Sequence, residues 1–244
     1  MMLDWETLVT YLPVLVKGAA TTVELTVLIV IFGFTIALPV ALARNSTSRA
    51  ARAFAQAFIF FFRGAPILAV LFLLYYGLPQ IPGIKDSVLW YLIERPMPIA
   101  VLALSLNSAG FLAEIFAIAL RNISVGEIEA ARAFGFSRVQ TFFRFTIPGA
   151  ARLCIRPYGN ELVFVLKGTA AVNFITITDL IGAANQVYFN TFDPFTPLLI
   201  AGAIYLFFAL LIVTGIRLVE QRLSPWLHAE RTRSSFKEAS FNET

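Results

Sequence analysis

The chain is poor in charge and in the residues that build metal or catalytic sites. Only 14% of its 244 residues are charged, whereas 58% are hydrophobic, and soluble globular proteins carry about 25% charged residues. One cysteine, Cys154, allows no internal disulfide, and one histidine, His228, forms no ligand cluster. We therefore expect no metal, no cofactor and no membrane-enzyme site, which would need clustered histidine, cysteine or carboxylate side chains.

The apolar residues are gathered into five long runs, each close to the ~20 residues that cross a bilayer. These runs occupy residues 18–43, 53–78, 99–120, 155–174 and 197–218. The second run is interrupted by Arg63-Gly64-Ala65-Pro66, which predicts a broken helix. The sequence thus predicts an all-α polytopic membrane protein with about five transmembrane helices.

Positive charge alternates between the connections that join these runs. Connections after the first, third and fifth runs are rich in arginine, and the other two are poor in lysine and arginine. Because cytoplasmic loops carry the excess of positive charge, we predict an outer N-terminus, a cytoplasmic C-terminus and no nucleic-acid partner. The predicted parts are an extracytoplasmic segment (1–17), a membrane domain (18–222) and a cytoplasmic polar tail (223–244).

The long cytoplasmic connection, at about residues 121–150, has the signals of a helix-turn-helix. Ser124 with Glu127, and Ser137 with Gln140, have the spacing of capping boxes. Gly135 lies between the two short helices, where a left-handed C-cap is expected. From spacing alone, an amphipathic helix lying on the membrane is an alternative interpretation.

Apolar residues recur at helical spacing in both short helices, and Pro148 is predicted to end the second one. One apolar face each is expected, formed by Ile128, Ala131 and Phe134 in the first helix and by Val139, Phe142 and Phe143 in the second. Glu129 is expected to pair with a cation of a partner or of this loop. Small side chains at Ala130 and Ala131 would allow a partner's backbone to approach closely.

This connection resembles the signature loop of importer permeases of the ATP-binding cassette class. The resemblance is carried by Glu129-Ala130-Ala131, Gly135 and Ile147-Pro148. In that family the loop contacts the ATPase subunit. The resemblance therefore implies an ATPase-coupling loop with these functional positions: Glu129, Ala130, Ala131, Gly135, Arg138 and Pro148.

Four further stretches are similar to the spans of polar amino-acid permeases: Phe62–Pro66, Ala113–Phe116, Asn160-Glu161 and Leu166–Thr169. The loop itself most resembles the histidine, basic amino-acid and opine subgroup. The family implies a permease subunit of a binding-protein-dependent importer that works by alternating access in the bacterial inner membrane. Its implied partners are an ATP-binding subunit dimer, a second permease chain and an extracytoplasmic substrate-binding protein.

The chain has no Gly-x-x-x-x-Gly-Lys-[Ser/Thr] phosphate loop, so we expect a partner subunit to use the ATP and this chain to be no enzyme. A self-sufficient secondary transporter or channel is the alternative. It would need internal inverted repeats or a complete pathway, and neither is visible. The energy source separates the two, since a secondary carrier uses an ion gradient.

Ionisable residues inside spans are costly and usually functional. Glu161 and Lys167 lie six residues apart in the fourth run, so they face directions roughly 120° apart. Glu161 suits a cationic side chain or an α-ammonium, and Lys167 suits a substrate carboxylate. Arg63, Asn160 and Thr169 complete the candidate substrate pathway. Each charged residue also has a structural alternative. Glu161 would pair with an arginine of another span, Lys167 would hold two helices together, and Arg63 would support the pathway at the broken helix.

Two further side chains are expected to have structural roles. Glu114 is predicted to form a salt bridge to the loop, in particular with Arg121, and substrate contact is the alternative. Thr178 is predicted to cap a short outer helix that starts at Asp179. That helix would be an external gate, a docking lip for a binding protein or an inert interfacial helix.

Overall fold

The computed structural model describes residues 5–223, and no strand occurs in this part of the chain. The polar tail predicted beyond residue 223 lies outside the described residues. In chain order, the α-helices are α1 (Trp5–Arg44), α2 (Arg49–Gly64), α3 (Ile67–Phe72), α4 (Val88–Ile93), α5 (Pro96–Arg121), α6 (Val125–Ala133), α7 (Arg138–Thr141), α8 (Ile147–Gly168), α9 (Leu180–Thr191) and α10 (Phe195–Leu223).

Three helices are long and apolar enough to cross a membrane, namely α1 from Val9 onward, α5 and α10. The number reaches five if each of two bent pairs is one span. One pair is α2 with residues 67–80, bent by 105°, and the other is residues 138–175 with α9, bent by 51°. The prediction of an all-helical chain with about five spans agrees with this architecture.

The predicted break in the second run is confirmed, since α2 ends at Gly64 and α3 begins at Ile67. The predicted run ends are less accurate. Helix α1 begins at Trp5 instead of residue 18, and α8 begins at Ile147 instead of residue 155. Hydropathy reports which residues suit lipid, and it does not report where the backbone hydrogen bonds of a helix stop.

Tighter and wider turns extend three of the helices. Residues 73–80 continue α3 as a π turn and a 3₁₀ turn, and residues 169–175 continue α8 as a 3₁₀ helix. A π turn at Phe142–Thr146 joins α7 to α8. The prediction that Pro148 ends the second loop helix is therefore wrong. Pro148 lies in the first turn of α8, and the helical backbone continues through it.

Helix α5 is the centre of the fold, with α1, α2, α3 and α8 packed around it. Its close neighbours approach at glycines. A Cβ on Gly110 would lie 2.9 Å from the Cβ of Phe62 in α2, and one on Gly33 would lie 3.5 Å from Ser108 in α5. The main buried cluster includes Leu25, Leu71, Leu104, Val172 and Ile175.

A second close contact, the α9 junction, joins α1, α9 and α10 through Thr22, Asp179, Leu180 and Tyr205. The N–H of Leu180 donates to Thr22 Oγ1 at 3.1 Å, and Tyr205 OH donates to Asp179 Oδ2 at 3.0 Å. Asp179 is the N-cap of α9, and its Oδ1 accepts from the N–H of Gly182 at 2.9 Å. The prediction that Thr178 caps this helix is therefore wrong by one residue.

Candidate functional site

A cavity of about 750 Å³ lies between the α2–α3 break, α5 and α8. Four of the five predicted pathway residues line it: Arg63, Asn160, Glu161 and Lys167. Thr169 is not in this lining. It is buried, and its hydroxyl donates to the carbonyl of Leu166 at 2.8 Å.

Glu161 is the buried acid of this cavity, with only 7% of the residue exposed. Ser108 Oγ of α5 donates to its Oε1 at 2.9 Å. Among the described residues Glu161 takes part in no salt bridge. A buried carboxylate is costly without a counter-charge, so this wall of the cavity favours a cationic group of a ligand.

Positive charge lines the same cavity. The guanidinium of Arg63 lies over the ring of Phe111, 5.4 Å from its centroid. Lys167 is exposed and, within residues 5–223, makes no salt bridge. The cavity thus has a carboxylate and two cations on its wall, an arrangement that suits a ligand with both a positive and a negative group.

A second carboxylate at the cavity, Glu114, is already neutralised. Its Oε1 lies 3.5 Å from Arg121 NH2, which confirms the predicted pair, and its Oε2 lies 3.7 Å from Arg44 Nε. The sequence analysis missed Arg44 because it lies on another helix. With Glu114 paired, Glu161 is the acid of the cavity wall that is open to a ligand.

The sequence analysis also missed three cavity residues of α5, which are Asn107, Ser108 and Phe111. They carry no charge and, unlike Asn160 beside Glu161, they are not adjacent to an ionisable residue. The available signal was the adjacent polar pair Asn107-Ser108 in the middle of an apolar run.

The turn of the cytoplasmic loop forms as predicted at Gly135, which has φ of +84°. The N–H of Gly135 donates to Arg132 O, and the N–H of Phe136 donates to Ala131 O, which is the Schellman pattern of a helix end. Most residues resist this left-handed backbone because of their Cβ. The turn therefore depends on glycine.

One of the two predicted capping boxes is present. The N–H of Ser137 donates to Gln140 Oε1 at 3.0 Å, and the N–H of Gln140 donates to Ser137 Oγ at 3.2 Å. Ser124 is the N-cap of α6, but its side chain makes no capping bond, so the box with Glu127 is wrong. There the backbone bond from Glu127 N–H to the Ser124 carbonyl forms instead.

The predicted apolar faces of the loop are only partly buried by this chain. Ala131 is buried and Ile128 is half-buried, but Phe134 is 85% exposed, and Val139 and Phe143 are also exposed. No helix of the described chain covers these three side chains, which we call the loop surface. Exposed apolar residues in such a group are typical of an interaction site.

The remaining loop positions are also accessible. Glu129, Ala130, Gly135, Arg138 and Pro148 are exposed. Glu129 makes no salt bridge with Arg132, Arg138 or any other described residue. Its carboxylate is therefore available to a partner.

The inner side of the loop is anchored to the helices that wall the cavity. Ile123 and Ile128 pack against a small cluster formed by the ends of α5 and α8, which includes Ala119, Ala150 and Cys154. A Cβ on Gly149 would lie 2.9 Å from Ile123 Cδ1. The inner side of the loop is thus in direct contact with α5 and α8.

Comparisons with known proteins agree with this geometry. Residues 29–225 match the family model described as binding-protein-dependent transport system inner membrane component. The nopaline transport system permease protein NocM of Agrobacterium fabrum is 35% identical over 93% of this chain and 95% of its own length. The arginine ABC transporter permease protein ArtM of Haemophilus influenzae is 37% identical over 84% of this chain and 88% of its own.

A further relative is the histidine/lysine/arginine/ornithine transport system permease protein HisM of Escherichia coli, 33% identical over 89% of this chain and 91% of its own length. Among solved structures, an amino acid ABC transporter with histidines matches at a TM-score of 0.79 and 30% identity. It covers 91% of this chain and 100% of that one. The MetNI methionine transporter has the same fold, with a TM-score of 0.71 at 20% identity over 86% of this chain and 96% of that one.

Proposed function

Because this chain belongs to the family of binding-protein-dependent transport system inner membrane components, we propose that it is the permease subunit that carries basic amino acids or opines. Its relatives are named as permeases for nopaline, octopine, arginine and histidine/lysine/arginine/ornithine. The observation that carries the proposal is the buried Glu161, which lines the cavity without a salt bridge in the described chain.

Recognition in the cavity follows from its charges. The Glu161 carboxylate accepts hydrogen bonds from a guanidinium, ammonium or imidazolium group, and charge-assisted bonds of this kind are the strong ones. Arg63 and Lys167 receive the carboxylate of the same substrate. A neutral side chain would give the buried Glu161 no charge-assisted bond from the substrate.

Transport is driven by partners of this chain. A dimer of ATP-binding subunits docks on the loop surface and on Glu129, and ATP is used there. A second permease chain, identical or paralogous, completes the pathway, and an extracytoplasmic binding protein delivers the substrate. The anchoring of the loop to α5 and α8 supports the view that nucleotide-driven movement of the loop alters the cavity.

The orientation is part of the same proposal. The chain is a multi-pass protein of the bacterial inner membrane, and the loop and C-terminus lie in the cytoplasm. The supporting observation is the alternation of arginine-rich connections.

Affinity purification from native membranes, followed by mass spectrometry and by uptake assays, tests the proposal. We expect an ATP-binding subunit to co-purify, and we expect ATP-dependent uptake of arginine or octopine to exceed that of glutamate. The Glu129→Arg variant should lose the ATP-binding subunit, whereas Glu24→Arg, an exposed position of α1 outside the loop, should keep it. Recovery of the chain alone, with uptake driven by an ion gradient, would overturn the importer assignment.

A further inference from the structure

The break between α2 and α3 removes the helical donor of the Phe62 carbonyl. In an unbroken helix the carbonyl of Phe62 would accept from the N–H of residue 66. Residue 66 is proline, which has no N–H. Instead, Asn107 Nδ2 of α5 donates to Phe62 O at 2.7 Å. The Asn107 side chain therefore supplies the bond that the proline removes.

The same part of α5 fixes the residue that follows Phe62. A Cβ on Gly110 would lie 2.9 Å from Phe62 Cβ and 3.4 Å from the backbone nitrogen of Arg63, so α2 lies directly on α5 here. One residue further, the ring of Phe111 lies beneath the Arg63 guanidinium at 5.4 Å. The position of this cavity cation is thus set from α5.

The neighbour of Asn107 holds the opposite charge. Ser108 Oγ donates to Glu161 Oε1 at 2.9 Å, and both residues are buried. Ser108 faces Gly33 of α1, and a Cβ built on that glycine would lie 3.5 Å from Ser108 Cβ and Oγ, an ordinary contact distance. The carboxylate is therefore held by a hydroxyl that is itself buried, since only 2% of Ser108 is exposed.

We propose that Asn107 and Ser108 are positioning residues that together set the separation between the cation and the carboxylate of the cavity. Asn107 acts through the broken helix that carries Arg63, and Ser108 acts through Glu161. Two adjacent residues of one rigid helix hold the two charges, so the cavity selects substrates by the spacing of their own charges. This inference rests on the proposed function and assigns to α5 the choice among basic substrates.

Three ligands of similar size separate the two roles. Arginine carries both a guanidinium and a carboxylate, citrulline replaces the guanidinium by a neutral urea, and agmatine lacks the carboxylate. Dissociation constants are measured on the purified complex of permease and ATP-binding subunits, without the binding protein. We expect Ser108→Ala to weaken arginine about 3- to 10-fold and to leave citrulline unchanged, since only the guanidinium uses the held carboxylate.

Asn107→Leu should weaken arginine and citrulline by a similar factor and leave agmatine unchanged, because Arg63 meets the carboxylate end. The matched controls are two residues, Ser105 and Asn45, whose side chains donate buried or part-buried hydrogen bonds elsewhere. Ser105 Oγ donates to Ile29 O at 3.5 Å, and Asn45 Nδ2 donates to Ala41 O and Ala117 O, both at 3.2 Å. Equal effects of Ser108→Ala and Ser105→Ala on all three ligands would overturn the role of Ser108.

A readout without ligand separates this inference from the proposed function. Amide hydrogen exchange over residues 61–65 should be at least tenfold faster in Asn107→Leu and unchanged in Asn45→Leu. If the wild-type complex binds none of the three ligands, the proposed function fails and the exchange result still decides whether Asn107 holds the break. Unchanged exchange in Asn107→Leu would overturn that role.

Discussion

The cytoplasmic loop and the cavity are built from different kinds of contact. In the loop, the structure-forming bonds join residues three to five positions apart, as in the Ser137–Gln140 box and the bond from Phe136 N–H to Ala131 O. In the cavity, Ser108 and Glu161 are 53 residues apart, and Asn107 and Phe62 are 45 apart. A docking element can thus be built locally, whereas a selective site needs several helices already in place.

The largest effect is expected at Gly135, which tests whether the locally built turn of the cytoplasmic loop is needed for coupling. Gly135→Val places a β-branched residue at φ of +84°, which costs about 1–3 kcal/mol of backbone strain. We expect the chain to insert normally, while the co-purified ATP-binding subunit and ATP-driven uptake fall roughly tenfold or more. The control is Gly126→Val, which lies inside α6 with ordinary helical backbone. Normal coupling in Gly135→Val would show that the turn is dispensable.

Charge recognition in the cavity is tested at Glu161. Glu161→Gln keeps the shape and removes the charge, and hydrogen bonds to charged groups contribute about 1.5–3 kcal/mol. Binding of arginine should weaken about tenfold or more, and binding of citrulline should change little. Coupling to the ATPase should be unaffected, in contrast to Gly135→Val. An equal loss for both ligands would remove the charge-recognition idea, and Glu24→Gln serves as the control.

A smaller effect is expected from a substitution that removes one local hydrogen bond of the loop. Ser137→Ala removes the capping hydroxyl of α7, at a cost of about 1 kcal/mol. We expect uptake rates to fall severalfold at every substrate concentration, with arginine affinity unchanged on the purified complex. Ser124→Ala is the matched control, because the Ser124 side chain makes no capping bond. If both variants behave alike, the capping box does not matter for coupling.

The smallest effect is expected where two helices meet through an exposed ion pair. Arg156 Nε of α8 lies 2.6 Å from Glu220 Oε1 of α10, yet exposed pairs contribute only about 0–1 kcal/mol. Glu220→Gln should lower the thermal midpoint of the purified complex by at most a few degrees and leave ligand selectivity unchanged. A large loss of ligand selectivity would show that contacts of α10 also contribute to recognition in the cavity.

This contrast explains what could be predicted from the sequence. The helix break follows from Pro66, and the left-handed turn follows from Gly135, because both depend on the backbone limits of single residues. The exposure of Phe134 and the bonds of Asn107 and Ser108 depend on which helices meet. Periodicity gives the apolar side of a helix, but it does not tell whether that side meets this chain or a partner.

The α9 junction has a consequence for the order of biosynthesis. The hydroxyl of Thr22 receives its hydrogen bond from the N–H of Leu180, 158 residues later in the chain, and Gly18 lies where its Cβ would be 2.6 Å from Ala183 Cβ. The ribosome therefore delivers α1 to the membrane long before it has made α9. Helices α2 and α5 pack on α1 earlier in synthesis, but the part of α1 at Gly18 and Thr22 lacks its α9 contact until then, and chains truncated before residue 180 never form it.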